Sequence, residues 1–106
     1  MSMDAAFKAL ADPTRRRILD NLRARNGQTL SELCVHAGMT RQAVAKHLAI
    51  LEAANLVAPR RQGREKLHYL NPVPINEIAE RWIVKFERGR LRALSDLKNK
   101  LEREGQ

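Results

Sequence analysis

Cysteine is all but missing: Cys34 is the single thiol in 106 residues. That excludes a disulfide framework and a soft-metalloid cage, which needs several thiolates converging on one ion. Aromatic residues make up only 4%, namely Phe7, Tyr69, Trp82 and Phe86. Leucine and alanine fill the apolar quota instead, which favours helix over strand. No apolar run reaches the ~18 residues that a membrane span requires. The first ten residues carry Asp4 and lack the long apolar stretch of a signal peptide, so the expected location is cytoplasmic, with no membrane partner. What is present, 43% hydrophobic and 30% charged residues in a chain of one-domain length, is globular rather than disordered. A core this small is thin, and a partner subunit would help it.

Acidic residues are short as well. Twelve Asp and Glu face twenty Lys and Arg, leaving a net +8 and a pI near 10.6. A small domain that basic usually meets a polyanion; a solubility charge spread over the surface is the alternative. Position favours the first. Residues 40–70 carry Arg41, Lys46, Arg60, Arg61, Arg64 and Lys66 against Glu52 and Glu65, a net of 6 − 2 = +4, while each flank contributes +2.

The local patterns predict mainly helix. A short helix over 4–11 places Phe7 and Leu10 on one side. Asp12-Pro13 restarts the chain as an N-cap followed by a proline at the first helical position. Ile18, Leu19 and Leu22 form the apolar face of that second helix. Arg15, Arg16 and Arg17 crowd its positive end, where an external anion, or solvent with Asp12 and Asp20, would relieve them. Thr29-Leu-Ser-Glu32 is a capping box that starts a third helix, with Leu30, Leu33 and Cys34 as its buried stripe. Gly38 closes it, and Thr40 caps a fourth helix two residues later, with Met39 and Val44 as a hydrophobic staple. Two helices joined by so short a glycine-containing turn make a helix-turn-helix.

The fourth helix, 40 to about 54, is two-sided. Val44, Leu48 and Leu51 face the core, while Gln42, Lys46 and Ala49 point away. Small residues with a few long polar donors suit close approach to a grooved partner, and such donors read base edges in the DNA major groove. After Asn55 the period changes to strand-like alternation of Lys66, Leu67, His68 and Tyr69, with Gln62-Gly63 as the hairpin turn and Pro59 confining the first strand to an edge. Arg60, Arg61 and Arg64 around that turn make sense as a phosphate or minor-groove probe. From Ile75 onward, Ile78, Trp82, Phe86, Leu94 and Leu97 recur at about helical spacing. One helix of about thirty residues, roughly 45 Å long, is expected there. It is too long for the head to cover, so a dimer is its natural partner, with Gly89 a weak point.

These segments together resemble the ArsR family of bacterial transcriptional repressors. The resemblance is carried by Asp12-Pro-Thr-Arg-Arg-Arg-Ile-Leu19, by Thr40-Arg-Gln-Ala-Val-Ala-Lys-His-Leu-Ala-Ile-Leu51, and by Leu56-Val followed by Gly63-Arg-Glu-Lys-Leu-His-Tyr69. It implies a mainly α winged helix-turn-helix with a two-stranded β wing, helices at both termini, and a homodimer on operator DNA. The head would span 1–72 and the dimerisation helix 73–106 in one integrated domain. Arsenic-sensing members carry a Cys-Val-Cys box where this chain has Thr29, Leu30 and Ser31, and residues 75–106 hold no histidine for a zinc site. The chain therefore looks like a branch that senses no metal. Cys34 and His36 are two residues apart, on opposite sides of a helix, and cannot share one ion. His36, His47 and His68 have no catalytic partners in sequence, so no enzyme and no cofactor is expected.

The site expectations follow. Arg41, Gln42 and Lys46 contact bases. Thr40, His47, Arg15 and Arg16 contact phosphates. Arg60, Arg61, Gly63, Arg64 and Lys66 form the wing. Ile78, Trp82, Phe86, Leu94 and Leu97 form the dimer interface. Double-stranded DNA is the expected partner, and nothing in the sequence names an effector ligand. A charge-only nucleic-acid binder and a protein-interaction module remain the alternatives.

Overall fold

The computed structural model describes residues 3–83 and 88–105. The chain forms two compact units, Met1–Ile75 and Asn76–Gln106. In the first, α1 (Met3–Leu10), α2 (Pro13–Ala24), α3 (Leu30–Cys34) and α4 (Arg41–Ala53) precede a hairpin of β1 (Val57–Gln62) and β2 (Glu65–Leu70).

Each helix start is a local chemical event. The Asp12 carboxylate accepts from the Thr14 and Arg15 amides, and Pro13 occupies a position whose amide needs no partner. At α3 the capping box is complete: Thr29 Oγ1 accepts from the Glu32 amide, and Glu32 Oε1 accepts from the Thr29 amide. At α4, Thr40 Oγ1 accepts from the Ala43 amide at 3.1 Å. Asn55 ends α4 in the left-handed region, φ 61°.

The core lies where the apolar stripes of α2, α3 and α4 meet the root of the wing. Leu22, Val44, Leu51 and Leu56 are wholly buried, with Ile18, Leu19, Leu33, Leu48 and Val57 around them. In α1 the buried face is Ala6 and Ala9, while Phe7 is 42% exposed. Alanines let α1 approach more closely, and the bulky ring is turned outward.

The hairpin pairs Val57 with Leu70 through to Gln62 with Glu65, leaving Gly63 and Arg64 as a two-residue turn. Gly63 has φ 63° and Arg64 is not in the positive-φ region, the pattern of a type II′ turn, which suits strand twist. Pro59 stands opposite His68. The His68 amide and carbonyl bond to Gln28 and Gly27 instead of β1. Pro59 therefore occupies a non-hydrogen-bonded pair, where its missing N–H costs nothing. His68 also reverses the expected alternation. It is 4% exposed, whereas Leu67 and Tyr69 are half-buried.

Among the described residues the C-terminal stretch shows two helices, α5 (Val73–Trp82) and α6 (Arg88–Glu104), and residues 84–87, through which the single expected helix would run, lie outside the described residues. Ile83 lies in a turn after α5. Pro74 sits inside the first turn of α5, where the lost amide has no helical acceptor to serve. Gly89 lies in the first turn of α6, and Phe86 falls outside the described residues. Among the described residues no helix is long and apolar enough to cross a membrane.

Candidate nucleic-acid interface

The α4 helix presents two surfaces. Its core stripe is buried, and Gln42, Lys46 and Ala49 are exposed. No hydrogen bond or ion pair among the described residues ties down Gln42 or Lys46. Arg41 is exposed too, but it is held: its Nη1 donates to Ser31 Oγ at 2.8 Å. Thr40 spends one hydroxyl lone pair on the cap, which leaves its O–H as a donor.

A groove of about 530 Å³ runs between α4 and the wing. Its cations are Arg41, Arg64 and Lys66, and its carboxylates are Glu52 and Glu65. Lys66 Nζ is 3.4 Å from Glu52 Oε1. The same oxygen lies 3.6 Å from His68 Nε2. On its other side His68 Nδ1 lies 2.8 Å from the Gln28 carbonyl, so Nδ1 carries a hydrogen and donates. Gln28 is itself 2% exposed, and its amide nitrogen donates to the Arg25 carbonyl and to Asn21 Oδ1. A polar chain thus runs from α2 through β2 to α4 and sets where the wing stands. The wing's root is also held by Asn26 Oδ1, which accepts from the Leu70 amide, and by Asn71, which donates to the Asn55 carbonyl.

At the wing tip Arg60, Arg61, Gly63 and Arg64 are all exposed. Arg61 stands directly opposite Lys66. Like charges so placed repel, and a bound polyanion would turn that cost into attraction.

Arg15 and Arg16 have work inside the protein. Arg15 Nε donates to the Ala9 carbonyl at 2.8 Å and its Nη2 to the Lys8 carbonyl at 3.0 Å. Arg16 Nη1 donates to the Leu10 carbonyl at 2.7 Å. The cations that crowd the start of α2 are thus satisfied by the negative C-terminal end of α1. Arg15 Nη1 also reaches His47 Nδ1 at 3.4 Å. A guanidinium only donates, so in neutral His47 the hydrogen sits on Nε2. The Arg15 amide first, with the Thr14 amide, the Arg15 charge and His47, holds the Asp12 carboxyl below its ordinary 3.8 against the opposing effect of desolvation. Glu32 is held below its ordinary 4.5 first by the Thr29 amide, then by the Thr29 hydroxyl and Arg25, against the opposing effect of desolvation.

Sequence reasoning missed Ser31, Gln28, Glu52 and the true place of His68. Glu52 carried a signal, as the one carboxylate in α4. Gln28 carried none. Cys34 is half-buried, and no group of three metal-ligating side chains occurs among the described residues.

In the second unit, Leu94, Leu97 and Leu101 share one side of α6 and are 63%, 53% and 59% exposed. Trp82, with Arg81 stacked 5.4 Å from its ring centre, is 47% exposed, and Ile78 is half-buried.

Comparison with known proteins agrees with this architecture. A helix-turn-helix domain model matches residues 10–60. The HTH-type transcriptional regulator YuzN of Bacillus subtilis is 45% identical, over 76% of this chain and 94% of its own length. The transcriptional repressor SdpR of the same organism is 31% identical, over 79% and 91%. Among solved structures, an ArsR-like transcriptional regulator from Rhodococcus sp. RHA1 superposes with a TM-score of 0.68 at 35% identity, over 90% of this chain and 91% of that one. The homodimeric winged helix-turn-helix DNA-binding domain of Mb0332 from Mycobacterium bovis gives 0.63 at 25% identity, over 77% and 76%.

Proposed function

The chain belongs to the ArsR family of winged helix-turn-helix transcriptional regulators, and from this we propose that it represses transcription as a homodimer on a near-palindromic operator. The observation that carries the reading is the exposed face of α4. Gln42 and Lys46 project there with no internal partner among the described residues, beside a wing tipped with Arg60, Arg61 and Arg64. In this reading α4 enters the major groove, with Gln42 and Lys46 at base edges and Arg41 on the flank of the same helix. Thr40 and the Nε2–H of His47 fix the register on phosphates. Arg16 reaches a phosphate only by leaving the Leu10 carbonyl, and Arg15 would give up more.

The apolar side of α6, with Ile78 and Trp82 of α5, supplies the dimer contact. Support comes from its exposed leucines and from the homodimeric Mb0332 domain. A dimer places two α4 helices in successive major grooves, about one helical turn apart. Repression is supported by the likeness to SdpR, and a cytoplasmic location goes with a DNA target. No catalytic step is assigned to the chain.

The test is a mobility shift on the DNA upstream of the protein's own gene with random competitor, followed by selection from a randomised duplex pool. Specific retention is expected. Gln42→Ala should relax the preference at one position in each half-site, worth about 1–3 kcal/mol. Equal affinity for operator and random duplex would leave only a charge-driven binder. No shift at physiological salt, with a co-purifying protein instead, would point to an interaction module.

A further inference from the structure

We infer that the groove between α4 and the wing is a seat for one phosphodiester of the DNA backbone, and that Arg41 grips this phosphate instead of reading a base. The inference rests on the DNA-binding reading above and divides the expected base readers into two kinds.

Three observations converge. The first is angular. At about 100° per residue, Arg41 lies within about 20° of Glu52 around the α4 axis, and about 100–140° from Gln42 and Lys46. Glu52 is the residue that meets the wing, through Lys66 and His68. Arg41 stands about 16 Å from Glu52 along the axis yet lines the same groove, while Gln42 and Lys46 lie outside its lining on the outward face. The second is the tether. Ser31 Oγ, on the neighbouring helix, accepts from Arg41 Nη1 at 2.8 Å. This draws the guanidinium toward α3, and it leaves the remaining N–H donors and the serine O–H for an anion. The third is the company in the groove. Arg41 shares it with Arg64 and Lys66. Of the two carboxylates present, Glu52 is paired with Lys66, so those two charges answer each other and the attraction for an anion falls to Arg41 and Arg64. Glu65 sits beside the wing turn, opposite Gln62. A space of about 530 Å³ flanked by two arginines on facing elements suits a strand of sugar-phosphate.

The chemistry separates the two roles. A guanidinium reading a guanine uses its planar fork, which lysine cannot reproduce. A guanidinium gripping a phosphate acts largely through charge, and lysine keeps that. A randomised-duplex selection on the full chain, with salt titrations on the selected and a random duplex, tests this for Arg41→Ala, Arg41→Lys and Gln42→Ala. Arg41→Ala should bind both duplexes about tenfold more weakly and leave the selected sequence unchanged. Its salt slope should fall by about 0.9 for each phosphate released. Arg41→Lys should recover most of the affinity with the same sequence preference. A changed preference at any position in either Arg41 variant would overturn the inference, as would undiminished affinity in Arg41→Ala. Wild-type protein that selects no sequence would instead sink the operator reading beneath it.

Discussion

Asp12 and Glu32 do the same job at two helix starts: each trades a solvated carboxylate for one that accepts backbone amides. Both pKa values are held below the ordinary 3.8 and 4.5 by those amides first. The stability they supply is therefore complete above those values and drains away as pH falls through the lower, folded ones. Thermal unfolding of Asp12→Asn/Glu32→Gln between pH 6 and 2 should show a flatter acid limb than the parent. Parallel limbs would mean that neither carboxylate drives the acid loss. Gly27 is constrained differently. Its φ is 77°, and a Cβ there would come within 3.1 Å of the Tyr69 ring. Gly27→Ala should cost more than the ~1 kcal/mol of a left-handed alanine, because the ring must also move. Chemical denaturation measures this directly.

The wing is held at its root by several polar joints and is exposed at its tip. The buried His68 ring ties β2 to the Gln28 carbonyl in the α2–α3 loop, and two residues earlier Lys66 ties the same strand to Glu52 of α4. His68→Leu should cost about 1 kcal/mol by removing the ring's bond to the Gln28 carbonyl. Amide hydrogen exchange across 57–70 should quicken with it. His68→Asn, whose amide can take the place of Nδ1–H, should restore the Gln28 link and part of the protection. Equal behaviour of the two variants would show that the ring only fills space.

For the whole molecule, the weak term is the second unit. The leucines at 94, 97 and 101 lie three and four residues apart on α6 and more than half their surface meets water. Burying one such side chain contributes about 1.5–3 kcal/mol, which a thin core cannot supply for itself. Sedimentation should show a dimer, and Leu97→Glu should shift it toward monomer. The Met1–Ile75 unit, which has its own core, should stay folded by circular dichroism. Operator affinity should fall more than tenfold, because each half-site is then held alone. A parent protein that is already monomeric, yet grips a palindrome tightly, would refute the dimer reading.

Much of this was legible beforehand for a physical reason. Helix caps, the turn at Gly63 and the apolar stripes of α2 and α4 are set by residues within four or five positions of one another, so periodicity and side-chain type suffice. The sequence by itself determined the order of elements in the head, the helix-turn-helix and its exposed polar face. Tertiary structure decided what depends on residues far apart. Arg15 and Arg16 turn back to the end of α1, Phe7 yields the inner face to alanines, and His68 is buried against Gln28, forty positions away. Arg41 leans on Ser31, ten positions earlier. A side chain with several donors takes whichever acceptor folding brings within reach, and that choice belongs to the packed chain, because no local pattern encodes the distance.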